Sequence, residues 1–171
     1  ITKMAVKPEL IATLAEMQSR EMNKALHSPV YGNGRCSIDY NLFDNAHPII
    51  KTAENDLVSI IKQAVKSDIY VLSSFFNIYG ARAGIPPHTH LNEIDTEKHL
   101  HLAEQKYSLV YYLSVGDQNC SEPGILKLYD PSDDILPCEG MIVIIPAGRR
   151  HSAVYGGEKD RVIIGINFYS L

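Results

Sequence analysis

The chain has 171 residues, 45% of them hydrophobic and 21% charged, which is too apolar for disorder and long enough to bury a core without metal or disulfide staples. Sixteen Lys and Arg against 20 Asp and Glu give a formal net charge of −4, and without a basic run there is no electrostatic footprint for nucleic acid. The longest apolar run, 141–146, is strand-length and far short of the ~20 residues of a membrane-spanning helix.

Up to about Lys66 the apolar spacing is helical. Leu10, Leu14, Met17 and Ala25, with Ile11 and Met22 beside them, recur at three-to-four-residue steps after Pro8, which suits a first turn. Turn residues over 28–34 (SPVYGNG) break this pattern. A second run puts Ile50, Ala53, Leu57, Ile60 or Ile61, and Ala64 on one stripe, with Asp44 or Asn45 as the expected cap before Pro48. From Asp68 onward the texture is β. The segments 69–79, 107–114, 125–129, 141–145, 152–155 and 161–169 are short, β-branched and aromatic, and bounded by Gly, Pro, Asp or Asn. The run 130–134 (DPSDD) reads as a turn, without the glycine and terminal Glu of a calcium loop.

Helices followed by many short strands predict one mainly β domain over 1–171, with a helical flank (1–66) against an antiparallel sandwich or barrel (68–171). The polar stretch 91–106 contains no strong strand, and a connection of that length inside a domain is usually functional or disordered. Cys36, Cys120 and Cys138 form no C-x-x-C pair, so neither a disulfide framework nor a thiolate zinc site is expected, and a reducing, cytoplasmic setting is. The chain starts at Ile1 with no signal-peptide pattern, which leaves room for a missing leader or upstream domain.

Seven histidines carry the chemical signal. His88-Thr89-His90 follows Pro86-Pro87 at the end of a β-like run, and residues i and i+2 of a strand project to one face. His151 comes 63 residues after His88, at the start of another predicted strand. Three imidazoles converging there suit iron, zinc, copper or nickel and leave open positions for a substrate. A His-x-His pair alone is weak, as His99-Leu100-His101 in the polar stretch shows. His27 and His47, beside Ser28-Pro29 and Pro48, are explained most simply by helix ends.

In this order, the segments 78–90 (IYGARAGIPPHTH), 107–115 (YSLVYYLSV), 124–129 (GILKLY), 139–146 (EGMIVIIP), His151 and 161–168 (RVIIGINF) resemble the iron(II)/2-oxoglutarate-dependent oxygenases, especially their prolyl-hydroxylase-like branch. The resemblance covers about 69–171. It implies a double-stranded β-helix, the jelly-roll or cupin-like barrel, with flanking helices. It implies an Fe(II) cofactor at the barrel mouth, 2-oxoglutarate as cosubstrate, and a dioxygenase that hydroxylates a small-molecule or peptide substrate with O2. By the family's pattern Arg161, ten residues past His151, holds the far carboxylate of 2-oxoglutarate, with Tyr112 and Tyr79 on the cosubstrate side. Tyr111 and Tyr112 alternate, so only one of them faces the site.

Two positions depart from that pattern. The family's carboxylate ligand falls at position 90, which is histidine, and a Ser often found two residues past the Arg is Ile163. Either His88, His90 and His151 hold the metal, or Glu93 or Asp95 supplies the third ligand. The segment Gly140-x5-Pro146-x-Gly148-x2-His151 also resembles a cupin motif. That alternative implies a cupin-type metal-binding protein, or a dioxygenase or isomerase that does not use 2-oxoglutarate. Arg149 and Arg150 are either solvated or anion-binding, Lys127 lines the mouth or faces water, and Asn167 is either near the cosubstrate or a structural amide. Exposed barrel edges make a homodimer an expectation.

Overall fold

The computed structural model describes residues 1–22 and 33–171. In chain order the described elements are β1 (Thr2–Lys3), α1 (Pro8–Glu16), β2 (Ser19–Glu21), β3 (Gly34–Ser37), α2 (Pro48–Val65), β4 (Ile69–Tyr79), β5 (Ala83–His88), α3 (Leu102–Gln105), β6 (Lys106–Ser114), β7 (Pro123–Leu128), β8 (Asp133–Ile135), β9 (Met141–Pro146), β10 (His151–Tyr155) and β11 (Arg161–Ser170). They form a major sheet in the order β1-β9-β6-β11-β4-β3-β2 and a minor sheet in the order β5-β10-β7-β8. Within both sheets the paired strands run antiparallel. The strand pattern predicts a mainly β antiparallel sandwich or barrel with flanking helices, and the form found is the jelly-roll that the resemblance implies.

Period-two alternation gives the major sheet two apolar faces. On one side Phe76 and Ile78 of β4, Leu109, Tyr111 and Leu113 of β6, and Val162, Ile164, Ile166 and Phe168 of β11 are buried with Leu10 and Leu14 of α1 and Ile50, Ala53, Leu57 and Ile61 of α2. On the other side Tyr79, Tyr112 and Ile163 pack with Leu126, Leu128 and Tyr155 of the minor sheet. The central strands are therefore apolar on both faces, and their sequence reads as nearly continuous hydrophobic runs. A register shift opposite Asn167/Phe168 places one extra residue in β4 and reverses its alternation. Ile69 and Val71 thus pack on the helix side, while Tyr70 and Leu72 are exposed.

The first third of the chain departs from the periodicity. Helix α1 ends at Glu16, and Met17 is already extended. Residues 19–21 pair with 35–37 as an edge strand. Met22 is buried in the barrel-side cluster, because strand pairing here overrides a helical spacing. Ala25, His27 and most of the 28–34 turn lie outside the described residues. The 1–66 flank is thus not purely helical, since β1, β2 and β3 extend the major sheet. In α2 the buried stripe is Ile50, Ala53, Leu57 and Ile61. Ala64 is exposed, and Val65, four residues after Ile61, packs on the core instead. The cap is neither Asp44 nor Asn45. The Nδ1 of His47 accepts the Ile49 amide at 3.2 Å, and Asn45 Oδ1 accepts the His47 amide. The expected turn at 130–134 runs directly into β8, which pairs with β7.

Candidate metal centre

A cavity, partly open to solvent, lies between the sheets, and its lining includes Asn77, Tyr79, Ser108, Tyr112, Tyr155 and Arg161. His88, His90 and His151 also line it. His88 closes β5 and His151 opens β10, and the two are cross-strand partners in register. Pro86 and Pro87 are tolerated because β5 is the edge of the minor sheet. His90 lies two residues beyond the strand, so strand alternation does not hold it. Its amide instead donates to the Ala147 carbonyl at 2.8 Å.

The imidazoles converge. One ring nitrogen from each lies within 4.8 Å of the others, and the Nε2 atoms of His90 and His151 are 3.1 Å apart. The Nδ1–H of His88 donates to the Pro86 carbonyl at 2.9 Å and that of His151 to the Arg149 carbonyl at 2.8 Å. These bonds fix the tautomers and leave both Nε2 lone pairs aimed inward. Burial lowers all three histidines, His90 to about 3 and His151 to about 4, so the rings are neutral at pH 7. Two nitrogens at adjacent octahedral positions, each ~2.1 Å from an ion, sit about 3 Å apart. The donor set, and the spacing of His90 and His151 within it, therefore fit a first-row divalent metal.

Arg161, 3% exposed, also lines the cavity. Its Nη1 donates to the Gly124 carbonyl at 2.8 Å, and its guanidinium carbon sits 5.0 Å from the Tyr112 ring centre and 5.8 Å from that of Tyr155. Among the described residues no carboxylate pairs with it. Tyr79 is its partner in register across β4 and β11. The Tyr79 hydroxyl accepts Asn77 Nδ2 at 2.9 Å, and burial pushes its pKa up to about 12. Tyr112 is likewise raised by burial, against the opposing effect of Arg161. Tyr111 takes the other face, where its hydroxyl donates to the Ala5 carbonyl at 3.2 Å.

The remaining candidates are placed elsewhere. Asp95 is buried, and its carboxylate accepts Lys106 Nζ at 2.6 Å, the Tyr169 hydroxyl at 2.5 Å and the Asn92 amide at 2.8 Å. It is thus saturated and not among the convergent ligand atoms. Glu93 is exposed at the N-cap of a one-turn 3-10 helix and does not join them either. His99 and His101 are exposed. Arg149 is half-buried, and its guanidinium donates to the Asp130 and Pro131 carbonyls at the surface. Arg150 lies over the Tyr129 ring, and Lys127 is exposed outside the cavity. Asn167 donates to Ser73 Oγ at 3.0 Å and does not line the cavity.

Sequence reading missed Asn77, Ser108, Tyr155 and Gly124. The first two are polar residues on the cavity face of apolar strands, and their parity with Tyr79 and Tyr112 was the available signal. Gly124 has φ +80°, and a Cβ there would stand 1.4 Å from Arg161 Nη1. Only glycine lets the backbone come close enough to seat that guanidinium.

No known family profile matches the sequence, and no curated protein matches it. Solved structures do. A prolyl-4-hydroxylase from Pseudomonas putida aligns over 95% of this chain and 83% of its own, with TM-score 0.63 and 20% identity. An oxidoreductase of the 2OG-Fe(II) oxygenase family from Burkholderia pseudomallei covers 94% and 77%, with TM-score 0.63 and 13% identity. HygX from Streptomyces hygroscopicus, with nickel and 2-oxoglutarate bound, covers 95% and 77%, with TM-score 0.66 and 11% identity. The fold is that of the 2OG-Fe(II) oxygenases. At these identities the likeness establishes the double-stranded β-helix, and chemistry has to be argued from the side chains.

Proposed function

We propose that this chain is an iron(II)- and 2-oxoglutarate-dependent dioxygenase that hydroxylates a small-molecule or peptide substrate. The observation that carries the reading is Arg161. A guanidinium buried without an acidic partner is costly, because the charge loses water and gains no counter-charge. Here it lines the same cavity as three neutral, convergent imidazoles. A dicarboxylate that reaches a metal with one end and a cation with the other fits both features.

His88, His90 and His151 would hold the iron. When bound, the iron supplies O2 activation coupled to oxidative decarboxylation of 2-oxoglutarate. The protein's part is preorganisation. The Pro86 and Arg149 carbonyls orient two of the imidazoles. Arg161 supplies a bidentate donor for a carboxylate, the Tyr112 ring stacks against it, and the Gly124 carbonyl fixes one of its arms. The buried, protonated Tyr79 is a hydrogen-bond donor for the same anion, and Asn77 sets the direction of its hydroxyl. The apolar wall of Phe75, Ile85, Val110, Leu126 and Ile163 keeps bulk water from competing for that anion.

Among the neighbours, a prolyl hydroxylase from Trichoplax adhaerens is in complex with a peptide fragment of a hypoxia inducible factor oxygen degradation domain, and HygX binds hygromycin B. Peptides and small molecules are therefore both reasonable screens. With iron(II), O2 and 2-oxoglutarate, the wild type is expected to form succinate even without a prime substrate, and Arg161→Ala is expected to need far more 2-oxoglutarate for the same rate. Metal binding with no succinate formation and no response to Arg161→Ala would favour cupin-type chemistry instead.

A further inference from the structure

His90 stands beyond the end of β5, where no strand ladder holds it, yet its ring meets the other two. The fold closes a ring of bonds around it. The His90 amide donates to the Ala147 carbonyl at 2.8 Å, and the Ala147 amide donates to the Lys106 carbonyl at 2.9 Å. Lys106 Nζ donates to Asp95 Oδ2 at 2.6 Å. The same oxygen accepts the amide of Asn92, two residues after His90, at 2.8 Å, while Asn92 Oδ1 accepts the Asp95 amide at 3.2 Å. Tyr169 of β11 donates to the other carboxylate oxygen, which ties the ring to the major sheet. The Asp95 side chain is 0% exposed and that of Lys106 is 3%. Burial pushes the Asp95 pKa up, but its hydrogen bonds with Lys106, Tyr169 and Asn92 outweigh that effect and keep it ionised.

We propose that Asp95, together with Lys106 and Tyr169, is a positioning device for His90. The carboxylate does not ligate the metal. It fixes the chain immediately after His90, so that a ligand on a loop is presented as rigidly as one on a strand. The inference rests on the metal-site reading above. It accounts for an ion pair that the chemistry of the cavity does not otherwise use and that a surface connection would not need.

The test is titration of the metal-free protein with cobalt(II), read by calorimetry and by the visible spectrum of the bound ion. His90→Ala defines the loss of one ligand. Asp95→Asn keeps the shape and removes the charge, and Tyr169→Phe removes a single hydroxyl in case the first variant does not fold. Ile61→Val in α2, remote from the ring, is the stability control. Asp95→Asn and Tyr169→Phe are expected to weaken cobalt binding on the order of ten-fold, as loss of an orienting partner typically does, and to move the spectrum toward that of His90→Ala. Ile61→Val is expected to bind as the wild type does. Folded Asp95→Asn and Tyr169→Phe proteins that bind cobalt as tightly as the wild type would overturn the positioning role alone. A wild type that binds no cobalt would remove the metal-site reading and this inference together.

Discussion

At the scale of single residues the site is defined by what position 90 is and by what position 124 lacks. With an imidazole at 90 the proposed ligand set carries no negative charge, so a bound iron(II) would keep its full double charge, and Arg161 adds another within the same cavity. His90→Ala is expected to lower iron(II) affinity sharply in an anaerobic titration, and His90→Asp to recover part of it, because the shorter carboxylate brings charge where the imidazole brought reach. Equal affinity in the wild type and His90→Ala would mean that this ring is not a ligand. At Gly124 the conflict is steric, since a methyl group would overlap the arm of Arg161. Gly124→Ala is therefore expected to weaken 2-oxoglutarate binding at least ten-fold, with metal affinity unchanged. His88 was legible at the end of a β-like run and His151 at the start of a predicted strand. His90 was legible only as a spacing, since the bonds that hold it come from 92, 95, 106 and 147 and leave no local mark. Gly124 carried no signal, because its requirement comes from a side chain 37 residues away.

At the scale of elements, alternation carried most of the information. The predicted strands 69–79, 107–114, 141–145 and 161–169 match β4, β6, β9 and β11 to within a residue at either end, because central strands are long, apolar and laddered on both sides. The edge elements β1, β2, β3 and β8 were not legible. They have two to four residues each, too few to show a period, and they exist because a neighbouring strand supplies hydrogen bonds. The same edge pairing ended α1 early. Helix α2 was readable because its stripe packs on the outer face of the major sheet. Leu57, fully buried there, tests that layer: Leu57→Ala is expected to lower unfolding free energy by about 2–5 kcal/mol in urea titration. The effect should appear in stability and not in metal affinity, since the two apolar layers lie on opposite faces of the sheet.

At the scale of the whole molecule, the chain separates stability from chemistry. The helix-side layer is mainly apolar, and the cavity side holds three imidazoles, a buried guanidinium and Tyr79, Tyr112 and Tyr155. That arrangement has a pH signature. The native pKa values of His90 and His151 lie at about 3 and about 4, below the ordinary 6.5, so on acidification the unfolded chain takes up protons that the native state refuses. Stability of the metal-free protein is expected to fall as pH drops from about 6.5 toward 4, with no contribution from these groups above that range. Urea midpoints at pH 7, 6 and 5 should show a steeper loss for the wild type than for His90→Ala, and parallel curves would contradict the neutral burial of that ring. The most direct measurement of the proposed function is an anaerobic titration of the iron(II)-loaded protein with 2-oxoglutarate, in the wild type and in Arg161→Ala. The account expects one equivalent to bind the wild type, and Arg161→Ala to keep its iron but lose that affinity. An iron-loaded wild type that does not bind 2-oxoglutarate, or binds it equally well without Arg161, would contradict it.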